Sequence, residues 1–448
     1  MFFRLLRAPV WFLLSHLLRA QQLRWESTGG TSVRSIIHFG AEHFKMIISR
    51  LWSTQSWCYS GGKRDLRLDL LRGFAVIAMV TDHIGGERSW LYMITGGDAF
   101  FVSAAEVFVF ISGLLMGIIY AGVIARQGLG AALMKSLQRA WTLYLMTVTL
   151  TLTFMILSAQ LGLGWDSEMT GAIWSDLLVS VLTFHRTFYL TDILLLYTLL
   201  VLAAVPVLVL LVHTRTALVL AGSWGLWLFW QLAPQHAQFP WSIVGNSVFN
   251  FPAWQALFVT AIVIGYHRQR LEQYLARISG HLVLGISGTF VAVVIGMYII
   301  VFLDPSFPHV MLVERLFGKV DLRIGRLLVF AGFFTFAFGL VTLAWAPIRC
   351  ALGWLLLPLG QDALSAYILH LFVAALAVKV KPLVFATSPA TPMENTAFQL
   401  AGIAFIWTVI ILRPIALTQL HTWSSKTTAL LEAGRAYLYS PSHPNRNL

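Results

Sequence analysis

The chain has 448 residues, of which 58% are hydrophobic and only 11% are charged, and its formal net charge is +12. About a quarter of the residues in a typical soluble domain are charged, so this composition excludes an ordinary soluble protein. No soluble part remains to carry a basic patch for nucleic acid. We therefore interpret the positive residues as charges of cytoplasmic loops, which indicate the orientation of the helices in the membrane. Cys58 and Cys350 lie far apart in sequence and predict neither a disulfide framework nor a metal site.

Residues 1–60 form an Arg-rich leader with one short apolar run at 8–18. That run is too short to span a membrane, and no small-residue cleavage site follows it, so a secretory signal is not predicted. The leader fits either an interfacial amphipathic helix or a translation start further along the chain, with Met46 as one alternative. We assign the leader no function.

From residue 61 to residue 420 the apolar runs predict one all-α membrane domain, a polytopic bundle of about ten transmembrane helices. The segment 171–184 is apolar but short, and it predicts a re-entrant or interfacial helix. Residues 421–448 are predicted to be a polar cytoplasmic tail. The ten predicted spans are approximately 68–85, 104–125, 137–160, 187–212, 216–232, 250–267, 281–302, 325–345, 354–379 and 396–419.

The first span is unusual because a helix apolar enough to enter a membrane carries Arg72, Asp82 and His83. Arg72 and His83 are eleven positions apart, which at about 100° per residue places both side chains on one helix face. They stand on the order of 16 Å apart along the axis, about half the hydrocarbon thickness. Either residue alone fits an interfacial position. Ionisable groups inside a membrane usually line an interior cavity, however, and for the pair beside Asp82 we favour a functional interpretation.

Basic residues in alternate loops predict that both termini are cytoplasmic, since cytoplasmic loops carry an excess of Lys and Arg. Arg126, Lys135 and Arg139, for example, lie between the second and third spans, and the intervening loops are acidic or nearly uncharged. His83 is then predicted near the outer end of its helix. The loop 304–326 departs from the rule, because it is predicted outside and yet is basic. Its cations form either structural ion pairs or a site that receives an anion; they are Arg315, Lys319, Arg323 and Arg326.

Other polar residues lie near the predicted outer ends of the spans. Glu106 follows Ser103 at the spacing of a capping box, although the same position would also place a carboxylate near His83. Gly113 and Gly117 predict close packing between helices. The remaining polar positions fit either ordinary interhelical hydrogen bonds or a wet interior; they are Tyr189, Thr191 and Asp192 in the fourth span, Asn250, Trp254 and Gln255 in the sixth, and Gln361, Asp362, Ser365 and His370 in the ninth.

The chain carries no Gly-x-Ser-x-Gly elbow, phosphate-binding glycine loop or His-Glu-x-x-His helix. A single histidine with a carboxylate neighbour fits instead a general base that deprotonates a hydroxyl group. A guanidinium group suits phosphate or carboxylate because its fork binds two oxygens at once. Histidine-based acyl transfer needs both a base and a group that holds the donor, and these residue types fit the two roles.

These residues resemble the OpgC family, within the acyltransferase-3 superfamily of membrane acyltransferases. The resemblance covers roughly residues 64–413, and it identifies the family better than the donor or the acceptor, because related proteins acylate many sugars. It rests on Arg72-x10-His83, on Lys319 with Arg323 or Arg326, and on RLDLLRG at 67–73, DHI at 82–84, SAAEVFVFISG at 103–113, NFPAWQ at 250–255 and GQDALSAYILH at 360–370.

The resemblance implies a multi-pass O-acyltransferase of the bacterial inner membrane. It would move an acyl group, either succinyl or acetyl, from cytosolic acyl-CoA to hydroxyls of an osmoregulated periplasmic glucan or another exported glycan, without a permanently bound cofactor. We predict that His83 is the general base, that Asp82 orients it, and that Arg72 holds donor phosphate or stabilises developing negative charge.

The remaining predicted site residues bind substrate. Glu106, Asn250, Trp254 and Gln255 are predicted to shape the acceptor mouth; Arg315, Lys319, Arg323 and Arg326 to receive the acyl carboxylate or an anionic acceptor; and His370 to bind substrate in a wet interior.

Two alternatives remain open at this stage. One is a transporter or flippase for a glycan or an anionic metabolite, in which the buried charges form a translocation path. The sequence shows no clear inverted repeat, and its polar residues gather toward one mouth, which disfavours this alternative. The other is an acetyltransferase of the same fold that acts on an amine or a lipid-linked sugar.

Overall fold

The long apolar runs of the sequence form α-helices. The computed structural model describes residues 64–85, 89–97, 100–163, 174–238, 240–246, 248–303, 309–385 and 390–413, and within these ranges it contains no β-strand. The all-α prediction is confirmed. The predicted leader at 1–60 and the predicted tail at 421–448 lie outside the described residues. All described residues except 344–347 belong to one compact unit.

Fifteen helices are defined in these described ranges. They are α1 Leu66–Ile84, α2 Trp90–Thr95, α3 Ala104–Gln127, α4 Leu129–Leu161, α5 Trp174–Leu182, α6 Asp192–Val212, α7 Thr216–Leu232, α8 Phe251–Tyr266, α9 Arg268–Leu275, α10 Gly280–Leu303, α11 His309–Phe317, α12 Ile324–Leu343, α13 Trp345–Gln361, α14 Ala363–Val384 and α15 Pro392–Arg413.

The helices long and apolar enough to cross a membrane number seven among the described residues: α3, α4, α6, α10, α12, α14 and α15. Helices α7 and α8 are shorter and apolar. Together with α1, these helices overlap the ten predicted spans, the ninth of which is divided between α13 and α14. The protein is therefore a multi-pass membrane protein.

The predicted ninth span, 354–379, has the wrong boundaries. The structure divides this segment between two helices, because α13 ends at Gln361 and α14 begins at Ala363. Pro358 lies in the last turn of α13, where its ring removes a backbone donor and obstructs a straight helix. Of the polar residues predicted in this span, Ser365 and His370 belong to α14.

Glycines set the approach of the two most closely packed helices, α3 and α8. A Cβ atom added to Gly113 would lie 2.5 Å from the carbonyl oxygen of Phe258, and one added to Gly117 would lie 2.2 Å from that of Ile262. Both distances are shorter than any van der Waals contact, so only glycine fits at either position. The predicted close packing at Gly113 and Gly117 is confirmed.

Helix α1 contacts α3, α12 and α14 and begins at a buried ion cluster. Its N-cap residue, Asp65, accepts hydrogen bonds from Arg67, at 3.0 and 2.9 Å, and from Arg268 at 2.8 Å. Burial raises the pKa of Asp65, but Arg67 and Arg268 outweigh it, so the pKa lies below its usual value. We call this the Asp65 end of the bundle, which is predicted to be cytoplasmic, and the opposite end the His83 end.

Candidate active site

Two histidines from distant parts of the chain meet inside the bundle. His83 lies in the last turn of α1, and His370 lies in α14; Nδ1 of His83 is 2.9 Å from Nε2 of His370. Nδ1 of His370 is in turn 2.5 Å from the backbone carbonyl oxygen of Tyr367. His370 is fully buried, whereas His83 is exposed. The structure therefore arranges the two rings in series, with His83 at the accessible end.

The hydrogen bonds of His370 determine the proton positions on both rings. Nδ1 of His370 faces a carbonyl oxygen, which only accepts, so this nitrogen must carry a proton. Full burial favours the uncharged ring, and Nε2 of His370 is then an acceptor. Nδ1 of His83 must therefore donate, and in neutral His83 the lone pair lies on Nε2. This is the form of histidine that takes a proton from a hydroxyl group.

The structure gives His370 the position at Nδ1 of His83 that the sequence assigned to Asp82. Successive residues of a helix leave it about 100° apart, so Asp82 points away from the side on which His83 meets His370. Asp82 is partly exposed, and its carboxylate lies within electrostatic reach of the hydroxyl group of Tyr189. Its role in orienting His83 stays a prediction.

Arg72 and His83 lie about three helical turns apart on α1. Because α1 is an uninterrupted helix, both side chains leave it on the same face, as predicted. The guanidinium of Arg72 lies within electrostatic reach of Tyr197 in α6, Asp69 and Arg64 in or beside α1, and Arg139 in α4. Among the described residues, Arg72 makes no hydrogen bond or ion pair, and it is partly exposed. An arginine in this state inside a membrane domain is suited to bind an anion.

Arg139 is a site residue that the sequence did not single out. Its guanidinium lies within electrostatic reach of Arg72, Tyr120 and Tyr197, so a second cation adds to the positive potential around Arg72. We interpreted Arg139 only as a topology charge, although it falls inside the predicted third span at 137–160. That position inside an apolar run is the sequence signal that sets Arg139 apart from the loop cations, although the structure shows its side chain exposed.

Tyrosines connect the Arg72 region with the histidine pair. The hydroxyl group of Tyr197 accepts a 3.4 Å hydrogen bond from Ser112, and it lies within electrostatic reach of both Arg72 and Tyr367. Tyr367 in turn contacts His370 through its carbonyl oxygen. Polar groups therefore follow one another through the bundle from Arg72 to His83.

Glu106 and Arg326, which were predicted in separate binding roles, pair with each other. Glu106 forms the predicted capping box with Ser103, accepting from its backbone N–H at 2.8 Å and from its hydroxyl group at 2.6 Å. Its other oxygen accepts from Nε of Arg326. The two residues are 0% and 3% exposed, and each charge is thus compensated inside the protein. The structure favours the structural interpretation of both residues.

The basic segment 304–326 divides into residues with different surroundings; its positions 304–308 lie outside the described residues. Arg323 donates to Asp321 at 3.0 Å and to Gln231 at 2.9 Å, and Trp230 also donates to Asp321, which fixes the segment against α7. Arg315 is exposed on α11. Lys319 lies within electrostatic reach of Tyr189 and Asp192. Tyr189 is also within electrostatic reach of Asp82, which precedes His83 on α1.

The predicted acceptor residues of α8 are mostly enclosed. Trp254 is 0% exposed, so its ring offers no surface to a sugar, and its Nε1 has no hydrogen-bond partner among the described residues. Gln255 accepts from Ser223 at 2.7 Å and donates to the carbonyl oxygens of Ser223 and Pro252. Asn250 is partly exposed and precedes α8 as its N-cap residue. Sequence alone did not show which faces of α8 are buried.

Two further features lie apart from the histidine pair. A cavity of about 400 Å³ is lined by residues such as Thr216, Tyr266, His267 and Arg270, and none of the site residues described above lines it. Burial, and secondarily Arg270, lower the pKa of His267. In the part of the chain that the structure describes, no three His, Cys, Asp or Glu residues are grouped so as to hold a metal ion.

The comparison with protein families decides the classification. The family model described as OpgC protein matches residues 64–415, which is more than half of the chain and includes every candidate site residue. The chain belongs to the OpgC family. Searches of curated proteins and of solved structures gave no match. An OpgC-family domain built as a bundle of membrane helices fits a membrane acyltransferase, and the resemblance seen in the sequence is confirmed.

Proposed function

We propose that this OpgC-family protein transfers a succinyl group from cytosolic acyl-CoA to a hydroxyl group of a periplasmic or exported glucan, and that it acts in the bacterial inner membrane. The observation that carries the proposal is the hydrogen-bonded pair of His83 and His370. The pair leaves a proton-accepting nitrogen on an exposed histidine, inside a membrane domain of a family associated with acyl transfer.

The proposed reaction requires one base. Nε2 of His83 takes the proton of the acceptor hydroxyl while the hydroxyl oxygen attacks the thioester carbonyl carbon. The tetrahedral intermediate collapses, the carbon–sulfur bond breaks, and the proton passes from Nε2 to the departing CoA thiolate. His370 remains neutral throughout, because it accepts from Nδ1 of His83 and donates to Tyr367 in every step.

Arg72 and Arg139 are proposed to hold the anionic part of the donor. Two guanidinium groups within electrostatic reach of each other repel, and phosphate oxygens between them would relieve that repulsion. Arg72 stands on the order of 16 Å from His83 along α1. This separation suits a donor such as acyl-CoA, whose phosphates and thioester lie at the two ends of a long arm.

Lys319 is proposed to receive the free carboxylate of the succinyl group. Lys319 lies within electrostatic reach of Tyr189 and Asp192, and Tyr189 lies in turn within electrostatic reach of Asp82, the neighbour of His83 on α1. An ammonium group at this place would distinguish succinyl-CoA from acetyl-CoA by attracting the terminal carboxylate.

The test compares glycans by mass spectrometry from cells that make the native chain, the His83→Ala variant or neither, at equal protein level. We expect a succinyl mass increment on glucan from native cells only. An acetyl increment would retain the transferase and correct the donor. Identical glycan masses in all three cell types, with a changed location of the glycan, would replace the acyltransferase by a transporter.

A further inference from the structure

Asp192 is a buried carboxylate at the His83 end that the proposed reaction does not use. It is the first residue of α6 and is 8% exposed. Its Oδ1 accepts a 2.9 Å hydrogen bond from the backbone N–H of Ile193. Its Oδ2 accepts no hydrogen bond from the described residues and is not fully enclosed. Burying a carboxylate is costly unless it is hydrogen-bonded, so Oδ2 is available for a donor that enters from outside.

Hydrogen bonds connect the backbone segment just before Asp192 to the histidine pair. The hydroxyl group of Tyr367 donates to the carbonyl oxygen of Leu190, two residues before Asp192. The carbonyl oxygen of the same Tyr367 accepts from His370, which contacts His83. One tyrosine therefore joins segment 189–192 to the proposed catalytic base.

The backbone of this segment adopts a conformation that costs energy. Leu190 has φ of +65°, in the left-handed region that a branched side chain rarely adopts. Thr191 holds the segment in place, since its hydroxyl group donates to the carbonyl oxygen of Phe188 at 2.9 Å and lies 3.1 Å from that of Thr151. The result is that Asp192 and Tyr189 lie within electrostatic reach of each other.

Tyr189 supplies an accessible aromatic ring beside the carboxylate. Its side chain is 51% exposed. Partial burial raises the pKa of Tyr189, and the carboxylates of Asp192 and Asp82 raise it further, while Lys319 opposes them. The phenol therefore stays protonated and neutral at physiological pH, and its hydroxyl group lies among these charges.

We propose that Asp192 and Tyr189 form the subsite for the acceptor sugar. Oδ2 of Asp192 accepts a hydrogen bond from a sugar hydroxyl next to the one that is acylated, and the ring of Tyr189 packs against the C–H face of the sugar. The subsite rests on the proposed acyl transfer for its place in the reaction, whereas its affinity for sugar is a separate property.

The test uses the full chain in lipid nanodiscs with a neutral gluco-oligosaccharide. Equilibrium binding of the labelled oligosaccharide is measured without donor, and steady-state transfer is measured with succinyl-CoA. Asp192→Asn keeps the shape and the hydrogen bond from Ile193 but removes the charge. We expect the Kd and the KM for the oligosaccharide to rise about 10-fold to 100-fold, as for a lost hydrogen bond to a charged group, with an unchanged KM for succinyl-CoA.

Further variants separate binding from folding. Tyr189→Phe keeps the ring and should retain most of the affinity for the oligosaccharide, whereas Tyr189→Ala should weaken it. The exposed Asp176 on α5 offers the matched control, and Asp176→Asn should change neither constant. A native Kd and KM in Asp192→Asn, or a loss that appears only as lower thermal stability, would overturn the subsite.

The two measurements also distinguish the two proposals. A native protein that binds the oligosaccharide through Asp192 but transfers no acyl group would refute the proposed function and retain the subsite. A native protein that transfers acyl groups while Asp192→Asn binds and reacts normally would refute the subsite alone.

Discussion

His370 offers the sharpest test of the site, because each of its ring nitrogens has one defined partner. His370→Phe fills a similar volume but removes both the acceptor for His83 and the donor to Tyr367. His370→Gln places a side-chain amide oxygen where it can accept from Nδ1 of His83. The comparison of the two variants therefore tests the acceptor at Nδ1 of His83, which only His370→Gln retains.

The expected loss follows from the geometry. Without an acceptor at Nδ1, the exposed His83 ring is free to rotate and to carry its proton on either nitrogen. A reacting group misplaced by about 1 Å costs on the order of 10²-fold in rate, and we expect a loss of this size in kcat for His370→Phe. The buried carbonyl group of Tyr367 also loses its donor, which lowers the free energy of unfolding by about 1–3 kcal/mol.

The assay measures kcat for succinyl transfer in nanodiscs, with thermal unfolding as the control for folding. We expect the order native, then His370→Gln, then His370→Phe, with His83→Ala lowest, since removal of a general base costs about 10²-fold to 10⁴-fold. Native kcat in His370→Phe would refute the orienting role of His370. Equal losses in folded His370→Gln and His370→Phe would refute the hydrogen-bond explanation.

Three other predictions concern the donor site and the buried ion pairs. Arg72→Lys keeps the charge but loses the two-pronged fork, so we expect a roughly tenfold higher KM for acyl-CoA, and unchanged turnover and KM would remove the case for bidentate binding. Glu106→Gln leaves Arg326 buried without its counter-ion, so we expect a loss of about 3–5 kcal/mol in the free energy of unfolding, measured as a lower Tm. Replacing Glu106 with Leu and Arg326 with Met together should recover most of this loss. A native Tm in Glu106→Gln would contradict the pairing. The pKa of Asp65 is lower in the folded state than in the unfolded state, so its contribution to stability is complete above the unfolded pKa and is lost as the pH falls through the folded pKa. When Tm is measured against pH, the decrease in Tm at acid pH should therefore be smaller in Asp65→Asn than in the native chain.

Much of the architecture follows from patterns that are local in sequence. Each predicted span overlaps a helix, since an apolar run of about 20 residues has few other stable structures in a bilayer. The relation between Arg72 and His83 is also local, because a single uninterrupted helix carries both. The predicted boundaries of the ninth span were wrong. The segment is apolar on both sides of Pro358, so its hydropathy did not indicate that one helix ends shortly after this residue.

The contents of the site depend on contacts that no local pattern encodes. His83 meets His370 across 287 positions, and Glu106 meets Arg326 across 220 positions. Trp254, which we expected at the acceptor mouth, is enclosed in the bundle instead. Each of these pairings or positions requires knowing which helices are neighbours and how far each is rotated.

The sequence by itself determined the class of the protein, the approximate helices, the close packing at Gly113 and Gly117, and the shared face of Arg72 and His83. Tertiary structure alone decided that His370 sets the proton position on His83, that Arg139 lies within electrostatic reach of Arg72, and that Lys319 lies within electrostatic reach of Asp192. The physical reason is that these membrane helices are apolar almost all round. Their hydrophobic pattern therefore marks where they lie, but not which side faces another helix.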